Sequence, residues 1–233
     1  MSRRLLLFAA AAAAALAASA SPVRADTARF ETVFPAAGQL TVNAVPVRRS
    51  PSPTAPVIKQ MAQFRTDYRW QEILAVGRRV GTDGKTWYHI SVPMRPNGTY
   101  GWIPAHAVTL SPTKGQIVVD RGKRTIDLYW QGKHLDHAQG AIGAPGMETP
   151  AGHYYVAARF VPDDSFLGVF AVETSAYSRL TEWPGGGVVG IHGTSMPQLL
   201  GQAVSHGCVR VANSTALVLR KYAPLGTPIW ITD

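Results

Sequence analysis

The sequence predicts a mainly β protein in two parts, a small β-barrel followed by a larger domain built on an antiparallel sheet. Three observations carry this. Short apolar runs alternate with turn signals along the whole chain, and its 17 prolines and 22 glycines are spread between those runs. Residues 41–110 contain no stretch of helical periodicity. A single helix signal stands near the end, where Asn213 or Ser214 is placed to cap a segment running through Tyr222, with Pro224 and Gly226 beyond it as stops.

In chain order, Arg3 and Arg4 precede an apolar run from Leu5 to Ala18, and small residues follow. This is the pattern of a secretory signal peptide over residues 1–25, with cleavage after Ala25 or after Ala20. The run is shorter than the ~20 residues needed to span a bilayer, so no stable membrane insertion is expected once it is removed. Losing Arg3, Arg4 and Arg24 and no acid lowers the formal charge from +9 to +6. A basic exported protein suits an anionic polymer or surface; nucleic acid is not an expected partner in that compartment. Residues 26–40 read as a lead-in.

From Thr41 the strand candidates are Val45-Pro46-Val47-Arg48, Ile73 to Val76, Trp87 to Val92 and Thr99 to Ile103. Thr82-Asp83-Gly84 and Pro96-Asn97-Gly98 supply turns between them. Residues 111–115, polar and turn-rich, read as a linker between a first domain at 41–110 and a second at 116–233. The second opens with two alternating runs, Gln116–Asp120 and Thr125–Tyr129, joined by Arg121-Gly122-Lys123; successive hairpins of this kind predict an antiparallel sheet. Residues 163–181 read as loop with one or two strands. Val188–Ile191 is an apolar strand that delivers His192, and Thr227–Ile231 is a last strand.

The chemistry concentrates at Ile191–Asn213, which holds Cys208, the only cysteine. No internal disulfide is therefore possible, and a lone thiol beside His206 and near His192 points to a nucleophile, because a thiol needs a base to react at neutral pH. Gly207 permits a tight turn directly before the sulfur. Spacing does not decide between His192 and His206 as base; the strand ending at Ile191 favours His192, with His206 in a supporting role. Peptide N–H groups of Gly207 and Cys208 are candidate oxyanion donors. Ser205 is placed to brace the turn, and Arg210 to hold a substrate carboxylate through a bidentate pair. Zinc held by His192, His206 and Cys208 is set aside, since neither HExxH nor Cys-x-x-Cys is present. No metal and no cofactor are expected, and His89, His106, His134, His137 and His153 read as structural or surface residues.

His192-Gly193-Thr194, a proline-containing connector, then Ser205-His206-Gly207-Cys208-Val209-Arg210 resembles the signature of L,D-transpeptidases with the YkuD-type catalytic domain. Thr149-Pro150-Ala151-Gly152-His153-Tyr154-Tyr155-Val156 and the Gly226-Thr227-Pro228 ending resemble further stretches of that family. The resemblance implies a β-sandwich catalytic domain with one or two short helices, Cys208 as nucleophile, Gly193 orienting the base through its backbone carbonyl, and peptidoglycan stem peptides as substrate. It implies a thioester acyl-enzyme resolved by the amine of a second stem (a 3→3 cross-link), by an amine-bearing wall-anchored protein, or by water as in an L,D-carboxypeptidase. It also implies acylation of Cys208 by carbapenems. The run VRRSPS, GKTWYHIS, GTYGWIP resembles bacterial SH3-type domains, which implies a wall-binding module; an idle, purely wall-binding protein is the competing class. NlpC-type and papain-like enzymes place the cysteine before the histidine, opposite to the order here.

Overall fold

A computed structural model describes residues 33–182 and 184–233. The expected signal peptide and residues 26–32 of the lead-in lie outside the described residues. Seven strands form the first sheet: β1 (Ala36–Leu40), β2 (Ala44–Arg48), β3 (Val57–Ala62), β4 (Glu72–Val80), β5 (Thr86–Ser91), β6 (Tyr100–Pro104) and β7 (Val108–Pro112). Their order is β3-β2-β6-β5-β4-β1-β7, and every pairing is antiparallel. One core of Leu40, Val45, Val47, Met61, Ile73, Ile90, Ile103 and Val108 draws on every strand, including both edges. The sheet must therefore curl around it. Trp87 is 3% exposed and its indole N–H donates to Asp83 (3.0 Å), whereas Trp102 is half-buried beneath the His89 ring (4.6 Å).

The second sheet contains β8 (Gly115–Asp120), β9 (Thr125–Trp130), β10 (Lys133–Gly143), β11 (Gly152–Phe160), β12 (Ala171–Tyr177), β13 (Val188–His192), β14 (Ala203–Ser205), β15 (Val209–Val211) and β16 (Pro228–Thr232). Its order is β14-β10-β15-β13-β12-β11-β16-β8-β9, and β9 pairs again with β10, so the sheet wraps onto itself. Alternation sets the inward face: Ile117 and Val119 of β8 and Ile126 and Leu128 of β9 are all at most 2% exposed. They join Val172, Ile191, Val209, Val211, Ile229 and Ile231 in one core. The single α-helix among the described residues, α1 (Asn213–Tyr222), buries Thr215, Ala216 and Leu219 and carries Arg220 and Lys221 in its last turn, where cations favour the dipole. The described residues are mainly β with one α-helix, the fold class expected.

Several local expectations need correction. The second sheet is mixed, because β10–β14, β13–β15 and β16–β8 are parallel. Those pairs join strands that no single tight turn connects, which hairpin signals do not report. The N-cap of α1 is Ala212, with no side-chain cap. Asn213 is diverted to the site described below. β1 occupies residues assigned to the lead-in, and β7 and β8 leave only Thr113 and Lys114 between them in place of a five-residue linker. A strand of small residues such as AAGQL has no apolar alternation to announce it.

The two sheets meet over a small cluster, Ala37, Leu74, Tyr155 and Ala157. The fully buried Tyr155 donates its hydroxyl to the Glu72 carbonyl (3.1 Å), and Arg65 pairs with Glu173 across the seam (2.5 Å). The β5–β6 loop reaches furthest. Asn97 brackets the Tyr177 backbone, donating to its carbonyl (2.7 Å) and accepting from its N–H (3.0 Å), while Arg95 donates to the carbonyls of Ser178 and Gly186 (both 2.9 Å). Among the described residues, no helix is long and apolar enough to cross a membrane.

Candidate active site

Four strands converge on Cys208. β15 lies parallel to β13, with Arg210 opposite His192, and antiparallel to the end of β10, with Arg210 opposite Ala141. β14 runs parallel to the last residues of β10. The chain reverses between β14 and β15 through His206, Gly207 and Cys208, so the thiol sits on a three-residue turn between two paired strands. Gly207 has φ +119°, and a Cβ there would lie 3.0 Å from that of Ser178. Only glycine satisfies both constraints without strain.

The turn is fastened from below. Ser205, 1% exposed, accepts from the Gly207 N–H (3.1 Å) and donates to the Cys208 carbonyl (2.5 Å). Thr149, fully buried, donates to the Gly207 carbonyl and accepts from the Gly143 N–H, each at 2.9 Å. These bonds put Ser205 in the bracing position and leave its hydroxyl engaged, so it is not a substrate-facing group. They also occupy the Gly207 N–H, which removes one of the two expected oxyanion donors and leaves that of Cys208.

Cys208 is partly accessible, and its Sγ accepts from the Gly190 N–H at 3.3 Å. A Cβ at Gly190 would stand 3.8 Å from Sγ and 4.0 Å from His192 Cδ2, so thiol and imidazole flank one backbone point. His192 is 4% exposed, and its Nδ1 lies 2.6 Å from the Gly193 carbonyl, which makes Nδ1 the protonated nitrogen of the neutral ring. His206, by contrast, is exposed.

Sequence reasoning missed the frame around His192. Asn213 Oδ1, from the first residue of α1, accepts from Val169 and Thr194 N–H (both 3.2 Å) and so ties together the two loops beside the imidazole. A Cβ at Gly193 would fall 2.2 Å from that oxygen. Phe166 sits in a short 3-10 turn capped by Asp164 (2.8 Å), with its ring 6.5 Å from that of His192 and 4.7 Å from the Arg210 guanidinium. Neither Asn213 nor Phe166 falls in a recognisable catalytic spacing; the Thr149 hydroxyl lies within the Thr-Pro stretch that resembles the family, but that resemblance gives it no role.

The electrostatics favour a neutral resting pair. Burial pushes the Cys208 thiol up from its ordinary value, against the Gly190 hydrogen bond and the Arg210 charge, which pull it down. Burial lowers the His192 imidazole, with the Gly193 and Leu167 backbones opposing and Arg210 assisting. Arg210 itself is 7% exposed and its Nε is buried without a hydrogen-bond partner. Among the described residues the guanidinium has no carboxylate partner, so its charge is left to attract an anionic ligand.

The family model for YkuD, the L,D-transpeptidase catalytic domain, matches residues 114–231. The YkuD proteins of Bacillus licheniformis and Bacillus subtilis strain 168, both named as L,D-transpeptidases, are 30% and 29% identical over 117 and 115 residues. The matches cover 50% and 49% of this chain, and 65% and 64% of those relatives' own length. An L,D-transpeptidase crystal structure from Mycobacterium tuberculosis H37Rv is similar over 87% of this chain and 97% of its own, with 14% identity and a TM-score of 0.47. With the family match spanning just over half of its 233 residues, this chain belongs to the YkuD family of L,D-transpeptidase catalytic domains.

Proposed function

We propose that the protein is an exported L,D-transpeptidase that acts on peptidoglycan tetrapeptide stems in the cell envelope through a Cys208 thioester. The observation that carries this reading is the flanking of Gly190 by the Cys208 thiol and by an imidazole whose Nδ1 is fixed on the Gly193 carbonyl. Because both groups rest neutral, His192 takes the thiol proton as Sγ attacks, rather than sitting beside a preformed thiolate. Sγ adds to the carbonyl that follows the L-centre of diaminopimelate, and the oxyanion is met by the Cys208 N–H. The C–N bond to the terminal D-alanine then breaks, its nitrogen takes the proton back from His192, and D-alanine leaves.

Resolution reverses the roles. An amine from a second stem gives its proton to His192 and attacks the thioester, forming a 3→3 cross-link and releasing the Cys208 thiol. Arg210, beside both catalytic groups, is suited to a stem carboxylate, and the basic charge of the chain suits the anionic wall. The test is mass analysis of products from disaccharide tetrapeptides. Intact enzyme is expected to release D-alanine and form dimers, and Cys208→Ala is expected to do neither. Unchanged D-alanine release by the variant overturns the reading. Release without dimers assigns water as acceptor, and dimers that form only with an added protein amine assign attachment of protein to the wall.

A further inference from the structure

Away from the active site, the hairpin of β9 and β10 gathers three donors. Asp127, His134 and His137 present ligand atoms within 4.8 Å of one another. His134 Nε2 lies 2.7 Å and His137 Nδ1 2.8 Å from the same carboxylate oxygen, Oδ1 of Asp127. We propose that these residues form a site for a divalent transition-metal ion of the zinc class, with a fourth position open to water.

The backbone argument is independent of those distances. In a regular strand, residues three apart point to opposite faces, so His134 and His137 would not meet. Register shows why they do. His134 pairs with Tyr129 and Asp136 with Leu128, so Leu135 is an extra residue opposite no partner. This bulge returns both imidazoles to the face of Asp127, which is the direct cross-strand partner of His137. The Tyr129 ring, 4.9 Å from that of His134, limits its rotation.

Donor chemistry selects the ion. Two imidazole nitrogens and one carboxylate suit zinc, cobalt, nickel or copper, whereas calcium and magnesium take oxygen sets. The carboxylate is the least exposed member, with 20% of its side chain accessible, while the two histidines are half exposed, so the site is open to solvent on one side. At metal–ligand distances of about 2.0–2.2 Å, tetrahedral donors stand roughly 3.3 Å apart, so each imidazole must draw back about half an ångström from Oδ1. The nitrogens that face Asp127 carry protons in the hydrogen-bonded arrangement. In a neutral ring the proton moves to the far nitrogen when the ion enters.

The experiment is calorimetric titration of tag-free, full-length protein with zinc chloride, after alkylation of Cys208 by iodoacetamide to silence the thiol. A parallel titration with cobalt chloride is followed by visible absorption. One ion per chain is expected, with cobalt bands that lack thiolate charge transfer. His134→Ala and His137→Ala should each weaken binding at least tenfold, with melting in EDTA unchanged from wild type. Deleting Leu135, which is 38% exposed and leaves no core void, should also weaken it although all three donors remain. Absence of binding overturns the proposal, as does equal affinity in His137→Ala, which would place the ion elsewhere. If the deletion variant is unfolded by circular dichroism, the two alanine variants decide alone.

Discussion

The two sheets solve different problems with similar residues. The first is antiparallel throughout and closes around its own core, and its recognisable strands, β4, β5 and β6, follow each other through short turns. The second contains three parallel pairs between strands that no single turn joins, and its chemistry stands beside one of them, β13–β15, where Arg210 is set opposite His192. Adjacent hairpins build a stable platform at little cost in loop entropy; setting the His192 imidazole beside the Cys208 turn requires a pairing that skips the intervening chain. The first sheet is not a detached spacer, since its β5–β6 loop grips Tyr177 and Ser178, and Ser178 backs the Gly207 turn.

The largest effect expected concerns the second sheet alone. His192→Ala should lower kcat/KM roughly a hundredfold to ten-thousandfold, the usual worth of a general base, while His206→Ala leaves it nearly intact. Comparable losses in both variants would show that the exposed ring takes part in proton transfer. The pH profile sharpens this. Because burial lowers His192, its neutral form persists below the ordinary imidazole value of 6.5, so the acid limb of kcat/KM should fall below that pH. An acid limb above 6.5 would contradict the buried, neutral base.

Gly207→Ala tests the turn. A side chain at φ +119° and 3.0 Å from Ser178 costs about 1–3 kcal/mol of backbone strain, read as a lower urea midpoint. Because the strain falls one residue before Sγ, kcat should drop further than stability does. Equal stability with full activity would mean that the turn is not constrained as described.

How much of this was legible depends on where each partner came from. The turn at Cys208 and the strand carrying His192 were readable because glycine, apolar run and histidine lie within one continuous stretch. The Thr149 and Asn213 brackets were not. They lie 58 residues from the Gly207 carbonyl and 44 from the Val169 N–H that they hold. Asn213 also looked like a helix cap, since the same amide fits either task. The Gly207 N–H was assigned to an oxyanion hole because its bond to Ser205 exists only once the turn is folded.

The seam between the sheets offers a pH test. Glu72 is 4% exposed and burial raises its carboxyl from 4.5 to about 7, with the Gln39 side chain opposing. The folded state thus holds a proton that the unfolded chain gives up. Stability is greatest below the unfolded value near 4.5, falls as pH rises, and levels off above about 7. The slope is at most about 1.4 kcal/mol per pH unit across that window. Glu72→Gln keeps the hydrogen-bonding shape and should flatten it, as urea unfolding at pH 5 and pH 8 would show. An undiminished slope in the variant would assign the titration to another group.

The smallest effect sharpens the comparison most. Asn97→Ala removes the two hydrogen bonds that the first sheet makes to the Tyr177 backbone, leaving an N–H and a carbonyl in a part-buried setting. The expected loss of stability is about 1–2 kcal/mol. A passive spacer would show that loss and nothing more. If the loop instead positions the backing of the Cys208 turn, kcat should fall several-fold below pH 7 and at pH 7 alike, with KM little changed and the Cys208 thiol reacting more slowly with iodoacetamide. Arg95, which holds the next carbonyl, then provides the internal check: Arg95→Gln keeps a donor without the charge and should restore part of the kcat lost in Arg95→Ala, because the effect runs through the Ser178 carbonyl and not through the charge.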